Sequence, residues 1–130
     1  MKLGIVFGAM FLVAQSGAMA GDFDEPDSFN APSGNISCHY TPMGDLPRQT
    51  ANLHCDRFKP SAVRLYLGEK GEGSIERGIK DACCDNSPVL AYGKTWTGGP
   101  FSCRSAETGL RCERADGHGF FVSRDRLDTY

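Results

Sequence analysis

The chain of 130 residues has a single tryptophan, three histidines and almost no charge excess, with 14 basic against 16 acidic residues. It lacks a basic stripe, and with it the electrostatic footprint of a nucleic-acid-binding protein. Beyond Val13 it lacks any apolar run approaching the roughly 20 residues that a membrane-spanning helix needs. It has no C-x-x-C pair of the kind that opens many zinc sites, and no G-x-S-x-G turn of the kind that presents a hydrolase nucleophile. There is no heptad pattern, no fixed-period repeat and no low-complexity tract, which argues against a coiled coil or a solenoid.

What is present begins with an export signal. Lys2 supplies a short positive region, Leu3 to Val13 is uncharged and apolar, and Ala18-Met19-Ala20 has the small residues of a cleavage site. Residues 1–20 are therefore expected to be removed, leaving 130 − 20 = 110 residues with 13 − 16 = −3 net charge. The expected location is the periplasm or the medium, without membrane insertion. Residues 21–31 are acidic and contain Pro26, which predicts a flexible lead-in anchored at Phe29. Residues 32–130 are read as one domain.

Six cysteines, an even number, lie in this small mature chain. An oxidising compartment and a small core both favour disulfides. Ile36, Cys38 and Tyr40 alternate with Ser37 and His39, and Leu53 and Cys55 alternate with Asn52, His54 and Asp56. An antiparallel pairing of these two strands sets Cys38 opposite Cys55 and Tyr40 opposite Leu53. In the C-terminal third, a turn at Ala106–Gly109 sets Cys103 opposite Cys112, and a second turn at Asp116–Gly119 leads into Phe120–Ser123. Val63–Leu67 alternates as a strand, and further strands are expected near Gly78–Cys83 and over Val89–Trp96. The fold class is mainly β: a small disulfide-stabilised antiparallel barrel or sandwich with a C-terminal three-strand meander. Cys83 and Cys84 remain after the two hairpin pairs. A Cys83–Cys84 vicinal bridge, re-pairing with an earlier cysteine, and free thiols all stay open.

The blocks P-S-G-N-I-x-C (Pro32–Cys38), L-x-Y-G-x-x-W (Leu90–Trp96), F-x-C-x-S-x-x-x-G-L-x-C (Phe101–Cys112) and G-H-G-F-x-x-S-R (Gly117–Arg124) together resemble a family of small exported bacterial domains of unknown function. The resemblance implies export and a disulfide-linked β domain, and it implies no activity.

Candidate residues for chemistry are few. His118, between two glycines and after Asp116, is an imidazole on a backbone that a ligand can approach closely, or simply part of a tight turn. With Ser123 and Asp116 it supplies the residue types of a hydrolase. Tyr92, Trp96 and Phe101 flank Gly98-Gly99-Pro100 and suit either ring stacking on a ligand or core packing. Leu46-Pro47-Arg48 lies in the loop that a Cys38–Cys55 bridge closes and would present Arg48 as an inhibitor does. Paired Cys38-His39 and His54-Cys55 have the types of a zinc site, but cysteine and histidine point to opposite faces, so no metal is expected. Asn35-Ile36-Ser37 fits the glycosylation sequon by chance. The expected function is a monomeric, non-enzymatic binding module outside the cytoplasm, without cofactor, for a ligand or protein the sequence does not name. A small hydrolase using His118 and an inhibitor presenting Arg48 are the alternatives.

Overall fold

The computed structural model describes residues 26–44, 50–82 and 86–130. The export signal, Arg48 and the Cys83-Cys84 doublet lie outside the described residues.

Two five-stranded antiparallel sheets pack face to face as a sandwich, each built from strands that are neighbours in the chain. The first contains β1 (Ser28–Asn30), β2 (Ile36–Thr41), β3 (Asn52–Arg57), β4 (Val63–Leu67) and β5 (Ser74–Arg77). The second contains β6 (Thr95–Gly98), β7 (Phe101–Ala106), β8 (Gly109–Arg114), β9 (Gly119–Val122) and β10 (Leu127–Thr129). Period-two alternation decides which face is buried. Phe29, Cys38, Leu53, Cys55, Leu65 and Leu67 point inward from the first sheet, and Trp96, Phe101, Cys103, Leu110, Cys112, Phe120 and Val122 from the second. Both expected hairpin registers hold, with Cys38 opposite Cys55 and Cys103 opposite Cys112, and both pairs are disulfides. Cys55 Sγ lies 4.0 Å from Cys112 Sγ, so the two bridges touch at the centre of the core.

Three expectations are corrected. The lead-in ends earlier than residue 31, because Ser28–Asn30 pairs with β2 and Phe29 is buried under Trp96, ring centroids 5.2 Å apart. The strand placed near Gly78–Cys83 lies instead at Ser74–Arg77, because Gly78 adopts φ 69° and turns the chain out of the sheet. Val89–Trp96 is not one strand. Val89 makes a single parallel bridge to Asn30, the chain turns at Gly93, and β6 starts only at Thr95.

An internal repeat, invisible as a linear period, appears once the strands are aligned on their cysteines. The disulfide joins the second and third strands of each sheet. Ile36-Ser37-Cys38-His39 of β2 corresponds to Phe101-Ser102-Cys103-Arg104 of β7, and Leu53-His54-Cys55-Asp56-Arg57 of β3 to Leu110-Arg111-Cys112-Glu113-Arg114 of β8. Phe29 and Trp96, each paired with the first cysteine of its sheet, meet each other. The last residue of each repeat, Arg57 or Arg114, is buried and crosses to the other sheet. Arg57 Nη1 donates to the carbonyls of Ser123 and Arg124 at 3.4 and 3.0 Å. Arg114 Nη1 and Nη2 donate to those of Gly68 and Gly71 at 2.7 and 2.8 Å. Since β9 precedes Ser123 as β4 precedes Gly68, the two clamps are equivalents at opposite ends of the sandwich.

The outer face of the first sheet is polar. Asp56 is fully buried there and takes a two-pronged ion pair from Arg64, Nε to Oδ1 at 2.8 Å and Nη2 to Oδ2 at 2.9 Å. His39 and His54 face each other across β2 and β3, ring centroids 5.6 Å apart, and Ser28 Oγ lies 3.0 Å from His39 Nδ1. Burial, Arg64 and His39 hold the His54 imidazole below its ordinary value of 6.5, against an opposing pull from Asp56. Unfolded His54 thus takes up a proton more readily than folded His54, so stability falls as pH drops below about 6.5 towards the folded value. Melting temperatures recorded from about pH 8 to about pH 5 are expected to decline over that window, and His54→Gln is expected to flatten the decline.

Candidate functional site

At one end of the sandwich, segments of both sheets surround a cleft of about 470 Å³. This is within the range of small-ligand sites, roughly 300–1,000 Å³. Four turns supply its walls: Ser33–Asn35 between β1 and β2, Phe58 and Lys59 after β3, Glu107 and Thr108 between β7 and β8, and Ser123 and Arg124 after β9. Ala31, Ile36, Ser105 and Leu110 line its interior, and Tyr92 stands at its edge from the crossover between the sheets.

The walls are held by their own hydrogen bonds. Asn35 Nδ2 donates to the Lys59 carbonyl and the Lys59 amide donates back to Asn35 Oδ1, both at 2.9 Å. The Phe58 amide donates to the Asn35 carbonyl at 3.1 Å, and the Asn35 amide to Ser33 Oγ at 3.2 Å. The amide group of the Asn35 sequon is therefore occupied in tying two turns together. Opposite, the Arg57 clamp fixes the carbonyls of Ser123 and Arg124, and Ser123 Oγ accepts from the Arg126 amide at 3.0 Å. The Gly93 amide donates to the Ser105 carbonyl at 2.7 Å, which secures the stretch bearing Tyr92 to β7. Lys59 and Arg124 place two exposed cations near the mouth, with Glu107 as a carboxylate among the same lining residues.

Of the candidate residues singled out from sequence, Tyr92 and Ser123 line this cleft, as does Asn35 of the sequon. Trp96 and Phe101 are core residues. Trp96 is 1 % exposed, and its Nε1 donates to the Pro26 carbonyl at 2.8 Å. Tyr40 stacks edge-on against both, with centroids at 5.5 and 5.9 Å. The glycines beside them serve this packing: a Cβ at Gly98 would lie 2.5 Å from Trp96 Cη2, and one at Gly99 would run into the Tyr40 hydroxyl. His118 sits in the β8–β9 turn, at the end of β9 away from the cleft. The Asp116 carboxylate is taken by Arg114, Nε to Oδ1 at 2.9 Å and Nη2 to Oδ2 at 2.6 Å, and by the His118 backbone amide. That hydrogen bond from Arg114 holds the Asp116 carboxyl below the usual carboxylate range. Ser123 lies beyond the opposite end of β9 from His118, so Ser123, His118 and Asp116 are not brought together.

Ser33, Ile36, Lys59, Ser105, Leu110 and Arg124 were not foreseen as a site. The signal was present in pieces, since the P-S-G-N-I, Y-G, S-x-x-x-G-L and S-R segments each contribute lining residues. Residues 67–130, from the end of β4 through the whole second sheet, match the model of a family of unknown function (DUF6636), while no curated protein and no solved structure matches the chain.

Proposed function

We propose that this chain is an exported, non-enzymatic binding module whose ligand sits in the cleft between the four turns. The observation that carries the reading is pre-organisation. Wall segments from both sheets are tied to one another through Asn35, Lys59, Arg57 and Ser123 before any ligand arrives, so little ordering remains to oppose binding. Export is supported by the signal-like N-terminus and by the two buried disulfides, which suit an oxidising compartment. Lys59 and Arg124 at the mouth favour a ligand with an anionic end.

The test is a titration of the disulfide-intact protein with small aromatic, aliphatic and carboxylate fragments, followed by proton–nitrogen correlation spectra. The amides of Gly34–Ile36, Ala106–Leu110 and Arg124 are expected to shift together. A Lys59→Glu, Arg124→Glu variant is expected to weaken carboxylate fragments by about tenfold and to leave neutral ones unchanged. Shifts confined to the His118 turn or to an outer sheet face would remove the cleft from consideration.

A further inference from the structure

The internal repeat explains why the cleft exists and what shape fills it. In register, Tyr40 of β2 pairs with Leu53, and its equivalent in β7, Ser105, pairs with Leu110. The Tyr40 ring occupies one end of the sandwich, against Phe101, Gly98 and Gly99. Counted from the matched cysteines, the equivalent of Phe101 is Ile36; counted from Trp96 and Phe29, which pair with those cysteines, the equivalent of Gly98 is Ala31. Gly34, two residues before Ile36 as Gly99 is two before Phe101, also has a positive φ, 73° against 52°. Ile36, Ala31 and Gly34 all line the cleft, as does Ser105 itself. The cleft is thus the place that a tyrosine ring fills in the other half of the molecule, left open because a serine stands where the ring would start.

Resting on the reading of the cleft as a binding site, we propose that its ligand is a small molecule carrying an aromatic ring of phenol type, inserted ring first between Ile36 and Leu110. The ring takes the position that Tyr40 takes at the opposite end. A cleft of about 470 Å³ is larger than one ring, so the rest of the ligand extends towards Tyr92 and the cations Lys59 and Arg124. Phe58 and Tyr92 are aromatic residues of the lining, and a flat ring gains edge and face contacts with such rings that a saturated ring of equal size does not, which sets the expected selectivity.

The experiment uses two probes of nearly the same size, p-cresol and 4-methylcyclohexanol, on the disulfide-intact protein. p-Cresol is expected to shift the methyl resonances of Ile36 and Leu110 and to bind about fivefold more tightly than 4-methylcyclohexanol. Ser105→Tyr is expected to abolish the p-cresol response and to raise the melting temperature, since it supplies the ring covalently, whereas Ser105→Ala keeps the response. Equal binding of the two probes at Ile36 and Leu110 overturns the aromatic ligand while leaving the cleft as a binding site. No response of Ile36 and Leu110 to p-cresol at millimolar concentration overturns the proposal whatever Ser105→Tyr does, and the cleft reading falls with it only if the wider fragment set fails there too. Should Ser105→Tyr not fold, the comparison of the two probes on the unaltered protein still decides.

Discussion

Replacing Cys103 and Cys112 together by alanine is expected to lower stability by about 3 kcal/mol, and removing Cys38–Cys55 as well by about 6 kcal/mol in all. The bridges span 17 and 9 residues, so the chain-entropy argument gives each a similar contribution. Set against a typical margin of about 5–15 kcal/mol, loss of both leaves the domain largely unfolded or close to it. Urea titration of the four-cysteine variant is the check, and an unchanged midpoint would contradict it. Since the four sulfurs belong to residues no more than 1 % exposed, dithiothreitol is also expected to spare both bridges in the native protein and to cleave them once urea opens the core.

The second large effect falls on the arginine clamps. Arg57→Met or Arg114→Met keeps most of the apolar stem but deletes the donors to carbonyls of the opposite sheet. The carbonyls of Ser123 and Arg124, or of Gly68 and Gly71, are then left without those partners. A loss of about 2–4 kcal/mol is expected for each, read as a fall in melting temperature of about 10–20 °C. Arg57 and Arg114 sit at opposite ends of the sandwich and share no partner, so the double variant should lose the sum of the two. A double variant no worse than either single one would mean that the ends are not held separately. Arg114→Met additionally takes the ion pair from Asp116, leaving its carboxylate the His118 amide and solvent, which relaxes the β8–β9 turn around His118 without touching the cleft.

Much of the architecture was legible because burial here is written with period two. Ile36, Cys38 and Tyr40 against Leu53 and Cys55 admit one antiparallel register that turns all five to the core face, and the second hairpin is fixed the same way by Cys103, Leu110 and Cys112. What was misread lay where one glycine or one tertiary contact outweighs the pattern. Gly78 ends β5 by its backbone conformation, not by its place in an apolar run. Pro88 and Leu90, on either side of Val89, are held by hydrogen bonds with Asn30 of β1, a strand distant in sequence. The repeat was hidden because its cysteines are 17 apart in one half and 9 in the other, so the two copies share no constant offset. The cleft was hidden for a different reason. Its walls come from four turns, and no local pattern says which turns of one sheet meet which turns of the other. The one sequence sign of it, serine at Ser105 where Tyr40 stands in the sister strand, has meaning only after the copies are superposed.

Among the described residues, every strand bonds to the one made just before or just after it, and the Cys38–Cys55 and Cys103–Cys112 bridges each stay within one sheet. A chain delivered amino end first can thus complete β1 to β5 and oxidise Cys38 with Cys55 before Cys103 arrives. Among these four thiols, the order of arrival itself steers oxidation away from cross-links between halves. The sulfur contact between Cys55 and Cys112 is then made last, by two finished hairpins closing on each other.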